Sequence, residues 1–472
     1  MLKQMKLSTL GSTLMILAAT IIIIARPIEG LKEEGQIMLA ALIIALCIWI
    51  FKPFKLTYAV GGLFIALVGL LVGLDSAVVF SGFTQAALWT LIPAFFFGYT
   101  LQKTGLGKRV ALGIIKCCRP TYASLICAWI PIGVILSILT PATTVRVAIM
   151  VPIALQCCEL FDLKKGSKGN SLILLTAFAM ALIPGSGWLT GVIWGPFIQG
   201  QMENAGMIGV VTFNSWLSVL LLPVAITTIL LVALGMILLK PEEALSKEAF
   251  RKVKSQNLGK MSGQELIVAI TLSAVFIASL TTRIHGLSTA VICIIAMLAF
   301  FLFGVLETKD FNSAANWNLV IFIAMALSLG SIFAETGISQ WLSGIVVPAL
   351  SPIATNPWLF VFSVMIFVFV WSMIDVAMFI PTIAIAVPIL PDIQEAYHIS
   401  PLIWIAMFIL AGNAFFLAYQ NMWAIMSRSI AEDKGRAWKN GHMSAYGLLY
   451  AFACLLAMIP TIPLWIHLGF FG

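Results

Sequence analysis

Charge is what this 472-residue sequence has least of: Asp, Glu, Lys and Arg together make up 10% of it, against 61% hydrophobic residues. Soluble domains carry roughly 25% charged residues, so a water-soluble globular fold is excluded and a chain that crosses a membrane many times is indicated. Histidine is scarcer still, with His285, His398, His442 and His467 all in or near loops. No Gly-x-Ser-x-Gly elbow and no His-Glu-x-x-His pair occurs, which argues against a membrane enzyme built on histidine chemistry. The eight cysteines include the adjacent pairs Cys117-Cys118 and Cys157-Cys158. Neither pair has metal-ligand spacing, and the basic loops beside them place them on the reducing side, where disulfides are disfavoured. A long hydrophilic module is also missing, since the longest polar segment, 240–264, is a short loop. That argues against a receptor.

What is present instead is apolar length. The runs 10–25, 37–51, 216–239 and 446–468 are about as long as a helix must be to cross some 30 Å of hydrocarbon. The first follows Lys3 and Lys6 in the manner of a signal peptide, but Arg26-Pro27-Ile28-Glu29-Gly30 is a poor small-residue cleavage site, so this run is expected to stay as an anchor. The formal net charge is +8, with Lys and Arg confined to short loops between the apolar runs. Such a distribution argues against nucleic acid as a partner and reads as an orientation signal. Placing every basic loop in the cytoplasm predicts an all-α polytopic protein of the inner, or plasma, membrane, with a cytoplasmic N-terminus, an external C-terminus and about eleven spans.

Two segments do not fit simple crossings. Residues 121–156 lie between two basic loops and are broken by Pro131 and by Thr140-Pro141, so two half-length helices joined by a polar turn are expected. The same shape recurs at 356–390, around Trp371-Ser372-Met373-Ile374-Asp375. Both read as re-entrant hairpins, because non-helical backbone at that depth must be covered by protein or line a polar cavity. Landmarks recur as well: Lys103-Thr104-Gly105 and Glu335-Thr336-Gly337, Pro152 and Pro381, Gly185 and Gly412 are separated by 232, 229 and 227 residues. Helix 36–51 is expected to start outside and its counterpart 265–282 inside, which makes the halves an inverted-topology repeat of the kind found in secondary transporters. The predicted organisation is a helix in 1–34, a first repeat at 35–240 with hairpin 121–156, a cytoplasmic loop at 241–263, and a second repeat at 264–472 with hairpin 356–390.

Arg146 stands just after the first polar turn, beside Thr140, Thr143 and Thr144. It reads either as a structural residue that snorkels or pairs with a buried acid, or as an anion contact, since hydroxyls and helix-end amides surround it. Asp375 holds the equivalent turn of the second half, where it reads as an ion-pair partner for Arg146, as a site of cation or proton coupling, or as a helix cap. Two glycine breaks follow the hairpins. The first, from Pro184 to Gly191 and including Gly187, frees carbonyls that, with Thr144, are candidates for binding a sodium ion; the second, Gly412-Asn413 with Tyr419-Gln420-Asn421, brings amides and a phenol towards the opposite hairpin. Glycine for close helix packing is the competing explanation. Of Trp89, Trp188, Trp371 and Trp423 none stands out, because interfacial belts and packing account for most membrane tryptophans.

The stretch Ser81-Gly82-Phe83-Thr84, Ala87-Leu88-Trp89, Ala94-Phe95-Phe96 and Lys103-Thr104-Gly105-Leu106-Gly107-Lys108-Arg109 resembles the divalent anion/sodium symporter family of dicarboxylate, citrate and sulfate carriers and plastid 2-oxoglutarate/malate translocators. The similarity runs over about residues 35 to 470. It implies a homodimer with a scaffold interface, transport regions that move as an elevator, and a Ser-Asn-Thr motif at each hairpin tip. The first motif corresponds to Ala142-Thr143-Thr144, with Arg146 at the arginine of the translocator-like branch; the second falls around Ser372-Met373-Ile374, with Asp375 near that branch's histidine. Thr143, Thr144, Arg146, Ser372, Asp375, Gly412 and Asn413 are therefore the expected substrate contacts, and the motif amide is absent from both tips. The expected activity is secondary transport of small organic dianions such as succinate, malate or 2-oxoglutarate, by symport or antiport. No organic cofactor is expected, and sodium is the candidate coupling ion. The competing expectations are a sulfate, sulfonate or other oxyanion carrier, and an anion exchanger without sodium coupling.

Overall fold

The computed structural model describes residues 2–25, 28–243, 245–255, 258–375 and 379–472. The Arg26-Pro27 junction and residues 376–378 of the second polar turn lie outside the described residues. Apart from one isolated antiparallel bridge between Ile399 and Phe471, the regular structure described is helical. Eight of the described helices are long and apolar enough to cross a bilayer, from Glu33–Phe51 to Asn440–His467. At 1.5 Å per residue, 18 residues or more span about the thickness of the hydrocarbon layer. This is an all-α, multi-pass membrane protein.

Local sequence explains where the helices start and turn. Thr121, Ser167, Thr212, Ser262, Ser288, Asn356, Ser400 and Asn421 each accept a first-turn amide through the side chain, which satisfies donors that would otherwise be orphaned in an apolar medium. The two Thr-Gly landmarks form matching corners. Gly105 (φ 79°) ends Ala86–Thr104 and starts Leu106–Lys116, and Gly337 (φ 76°) ends Trp317–Glu335 and starts Ile338–Ala354. Both adopt the left-handed conformation that glycine takes at no steric cost.

The first hairpin departs from expectation. Its arms, Tyr122–Leu139 and Thr143–Leu160, are 18 residues each, not half-length. Pro131 and Pro152 sit inside these helices rather than ending them, as neighbouring helices permit in a membrane. At the centre of the fold, Lys168–Leu182 is buried from Gly169 onwards and Pro401–Gly412 from Pro401 to Ala411. Their sequences are apolar all round, the pattern of a helix enclosed by others. Each ends in a break, at 183–193 and at 413–421.

Contacts between the halves shape the region beside the first hairpin. Lys103 Nζ meets Asp310 Oδ2 at 2.5 Å, and Tyr99 donates to Asp310 Oδ1 at 2.9 Å. Burial raises the Asp310 carboxyl, but hydrogen bonds from the Lys103 ammonium, the Glu307 amide and the Tyr99 hydroxyl outweigh it and hold the group at about 2. Arg109 ties Leu106–Lys116 to the loop before Gly263–Leu280, through Glu265 at 2.8 Å and the carbonyls of Gly259 and Lys260 at 3.1 Å. Further along, Gln201 and Asn204 donate to the Ala326 and Leu327 carbonyls at 2.7 and 2.9 Å.

Candidate functional site

The first hairpin turn follows from Thr140-Pro141. Proline cannot continue the helix and disfavours helical geometry at the residue before it; Thr140 is accordingly extended (φ −154°, ψ 131°) and its carbonyl is released. The new helix starts at Thr143 behind Ala142, a cap with no side-chain oxygen. The amides of Thr143 and Thr144 thus belong to the first turn, where no intrahelical acceptor exists.

Arg146 lies one turn further in and is fully buried. Its Nε donates to Ala181 O at 2.7 Å, one terminal nitrogen to Thr140 O at 2.7 Å and Gly191 O at 2.6 Å, and the other to Thr143 Oγ1 at 2.9 Å. The three carbonyls come from the hairpin turn, the end of the central helix and the first glycine break. Glycine at 185 is needed here, because a Cβ would stand 2.9 Å from the guanidinium and 2.5 Å from Gly191 O. The expectation that Arg146 pairs with Asp375 is not met, since the four hydrogen bonds of the guanidinium go to that cradle. Of the carbonyls at this break, that of Gly191 accepts from the arginine, and a Cβ at Gly187 would point towards Leu221 and Val224.

In front of the tip is a cavity of about 340 Å³. Thr143 and Thr144 line it, facing Tyr99 and Gln102 from one wall, Asn316 from the Asp310 loop, and Trp423 from the second half. Gly98 allows the wall to approach so closely; a Cβ there would lie 2.6 Å from Val145. The indole of Trp423 donates to Thr144 Oγ1 at 3.3 Å and packs edge-on against Trp194, with centroids 5.9 Å apart. Among the described residues, no carboxylate lines this cavity. It presents hydroxyls, amides, an indole N–H and a helix N-terminus with a buried cation behind it, a set that favours an anion.

The second hairpin is arranged differently. Asp375, 6% exposed, accepts from the amide of Thr382 at 3.2 Å and its hydroxyl at 2.5 Å, and the same hydroxyl accepts from Trp371 Nε1. Ser372 Oγ accepts from Gln420 in the second break at 2.7 Å. Asn413 donates to Ser186 of the first break at 3.0 Å, and Gly412 faces the Phe379 ring. Ser372, Asp375, Gly412 and Asn413 therefore do not line the cavity with Thr143 and Thr144. Tyr99, Gln102 and Asn316 were not singled out by sequence. Trp423 carried one usable signal, its position two residues after Asn421 of the polar second break.

A family model for the sodium:sulfate symporter transmembrane region matches residues 7–467. The chain belongs to this family. It is accordingly a membrane transporter rather than an enzyme. Among relatives, it is 26% identical to a membrane protein of Cupriavidus necator over 373 residues, 74% of this chain and 71% of that one. It is 26% identical over 281 residues to the chloroplastic dicarboxylate transporter 2 of Spinacia oleracea, covering 57% of this chain and 50% of that one. It is 23% identical over 283 residues to the L-tartrate/succinate antiporter of Escherichia coli, covering 57% of each. The matched region thus spans only about half the length of these last two relatives. The fold is similar to the crystal structure of the Alcanivorax borkumensis YdaH transporter, with a TM-score of 0.54 at 16% identity, over 84% of this chain and 88% of that one.

Proposed function

We propose that this family member is a secondary carrier of small organic dianions, dicarboxylates of the size of succinate, malate or 2-oxoglutarate. The observation that carries the reading is the cavity at the first hairpin tip, lined by donors and backed by Arg146. Relatives named for dicarboxylates and for tartrate and succinate are consistent with it.

In this reading residues 35–240 and 264–472 are two repeats of opposite topology, preceded by a helix in 1–34 and joined by a cytoplasmic segment at 241–263. Each repeat contributes a re-entrant hairpin, at 121–156 and 356–390, giving about eleven spans in all. Support comes from the order of elements: in each half a left-handed glycine corner precedes a hairpin, then a wholly enclosed helix, a break and a final long helix. The N-terminus is cytoplasmic and the C-terminus external, in the inner membrane of a cell, and the carrier works as a homodimer whose transport regions move as an elevator. Walls from Tyr99 and Asn316 on one side and from Thr144 and Trp423 on the other make the cavity a boundary between a fixed and a moving part.

Arg146 also bears on coupling. Its guanidinium holds three carbonyls, from the hairpin turn, the end of the central helix and the first break, that would otherwise be open to a metal cation, so it acts as a resident cation and the carrier exchanges anions without sodium at this position. The test uses purified protein in liposomes with radiolabelled succinate, 2-oxoglutarate and sulfate, with and without a sodium gradient, and with the same anions preloaded. Uptake of a dicarboxylate that depends on preloading and ignores sodium is expected. Transport of sulfate alone would shift the substrate to inorganic oxyanions, and a steep, saturable requirement for two or more sodium ions would remove the resident-cation role.

A further inference from the structure

We propose that Trp423 is a positioning residue that biases the Thr144 hydroxyl towards donating, as Arg146 biases that of Thr143, so that the site favours the fully ionised carboxylate. The inference rests on the dicarboxylate reading above and concerns which form of the ligand's end group is taken.

A threonine hydroxyl carries one proton and two lone pairs, while guanidinium and indole N–H groups donate only. At the hairpin tip each hydroxyl already accepts from such a donor: Thr143 from Arg146 at 2.9 Å, Thr144 from Trp423 at 3.3 Å. Accepting a hydrogen bond polarises a hydroxyl and strengthens it as a donor. Neither threonine donates its proton within the described structure, although threonines elsewhere, such as Thr100 and Thr336, give theirs to a carbonyl of the preceding turn. Both threonines line the cavity, and Thr143 is 3% exposed. Their protons and the first-turn amides are therefore left for an acceptor arriving in that space.

Trp423 is held firmly enough to impose this. It is 5% exposed, its amide donates to Asn421 Oδ1 at 3.0 Å, and its ring meets Trp194 edge-on. A carboxylate oxygen accepts from both hydroxyls and the first-turn amides and is satisfied; a protonated acid or a primary amide brings an O–H or N–H for which only the one remaining lone pair of each hydroxyl is left, on groups already polarised towards donating.

The experiment compares succinate with its monoamide, succinamate, by competition against radiolabelled succinate on the full chain in detergent. The variants are Trp423→Phe, which keeps the ring and removes the N–H, Thr144→Val and Thr144→Ser, with unfolding midpoints recorded for each. In the unaltered protein succinate binds more tightly. Trp423→Phe is expected to narrow that preference about fivefold, the size of one neutral hydrogen bond, mainly by weakening succinate. Thr144→Val should narrow it similarly, and Thr144→Ser should preserve it. A purely structural role for Trp423 would weaken both ligands alike, and a preference unchanged within about twofold in Trp423→Phe would overturn the proposal. Failure of the unaltered protein to bind succinate at all is a distinct result, which removes the dicarboxylate reading and this inference with it.

Discussion

The two hairpins occupy equivalent places in the chain, yet they treat charge in opposite ways. The first buries a cation completely and answers it with backbone carbonyls and one hydroxyl, leaving the tip free to face a cavity. The second carries an anion whose described hydrogen bonds come from Thr382, seven residues along the same hairpin. Beside it, Trp371 and Ile374 are 38% and 53% exposed. Another polar contact described at the tip, from Gln420 to Ser372, leads into the second break. A shared order of elements therefore does not mean a shared chemistry. The cavity at the first tip draws Asn316 and Trp423 from the second half, and Asn413 and Ser186 join the two breaks directly.

The largest effect expected from breaking this asymmetry is at Arg146. Arg146→Ala leaves three buried carbonyls without donors, at about 1–3 kcal/mol each, and removes the charge behind the anion. Transport is expected to fall more than about a hundredfold, with a lower unfolding midpoint. Arg146→Lys should recover part of the folded yield and little transport, because an ammonium cannot reproduce the planar fork. A double-mutant cycle with Asp375→Ala should show a coupling within about 0.5 kcal/mol, as for sites that do not touch. Coupling above about 1 kcal/mol would mean that the hairpins share their charges after all.

Next in size is the contrast between hydroxyls. Thr143→Val removes a proton that faces the cavity and disturbs the arginine cradle, so KM for the dianion should rise about tenfold. Ser372→Ala removes the acceptor for Gln420 and a hydrogen bond to Phe369 O, neither of which faces this cavity, and should raise it no more than about threefold. Equal effects from the two substitutions, measured as initial uptake into liposomes, would place substrate against both tips and end the asymmetry.

Much of this arrangement is legible in the sequence because it follows from backbone restrictions. Thr140-Pro141 in an apolar run marks a turn, Gly105 and Gly337 mark corners, and the low charge content marks the membrane. Proline was the weaker guide, since Pro131 and Pro152 kept their helices and only Pro141 ended one. The partners of Arg146 were out of reach for a physical reason. Three of the four are main-chain carbonyls, which every residue possesses, so no side-chain pattern announces them and a lone acid such as Asp375 attracts attention instead. Tyr99, Gln102 and Asn316 come from separate elements, and their convergence depends on packing that local periodicity does not encode. Trp423 was one of 14 tryptophans, and only its hydrogen bond to Thr144 separates it from the rest.

The smallest effect concerns the wall that both halves share, across the cavity from the first hairpin tip. Asp310 titrates at about 2, below its ordinary 3.8, so the folded state favours its charged form. The sign follows from linkage: the stabilisation is present above the unfolded value and is lost as pH falls through the folded one, that is, between about pH 4 and about pH 2. Lys103 is partly exposed, with 26% of its side chain accessible, so screening keeps the contribution modest. In detergent the unaltered protein should unfold at a slightly higher temperature than Asp310→Asn near neutral pH, and the two should converge by about pH 2. The Asp310→Asn variant should also weaken dianion binding by no more than about twofold, because Asp310 does not itself line the cavity and Tyr99 and Asn316 remain in its wall. A difference in midpoint that persists unchanged to about pH 2 would show that the carboxylate's charge is not what holds this wall in place.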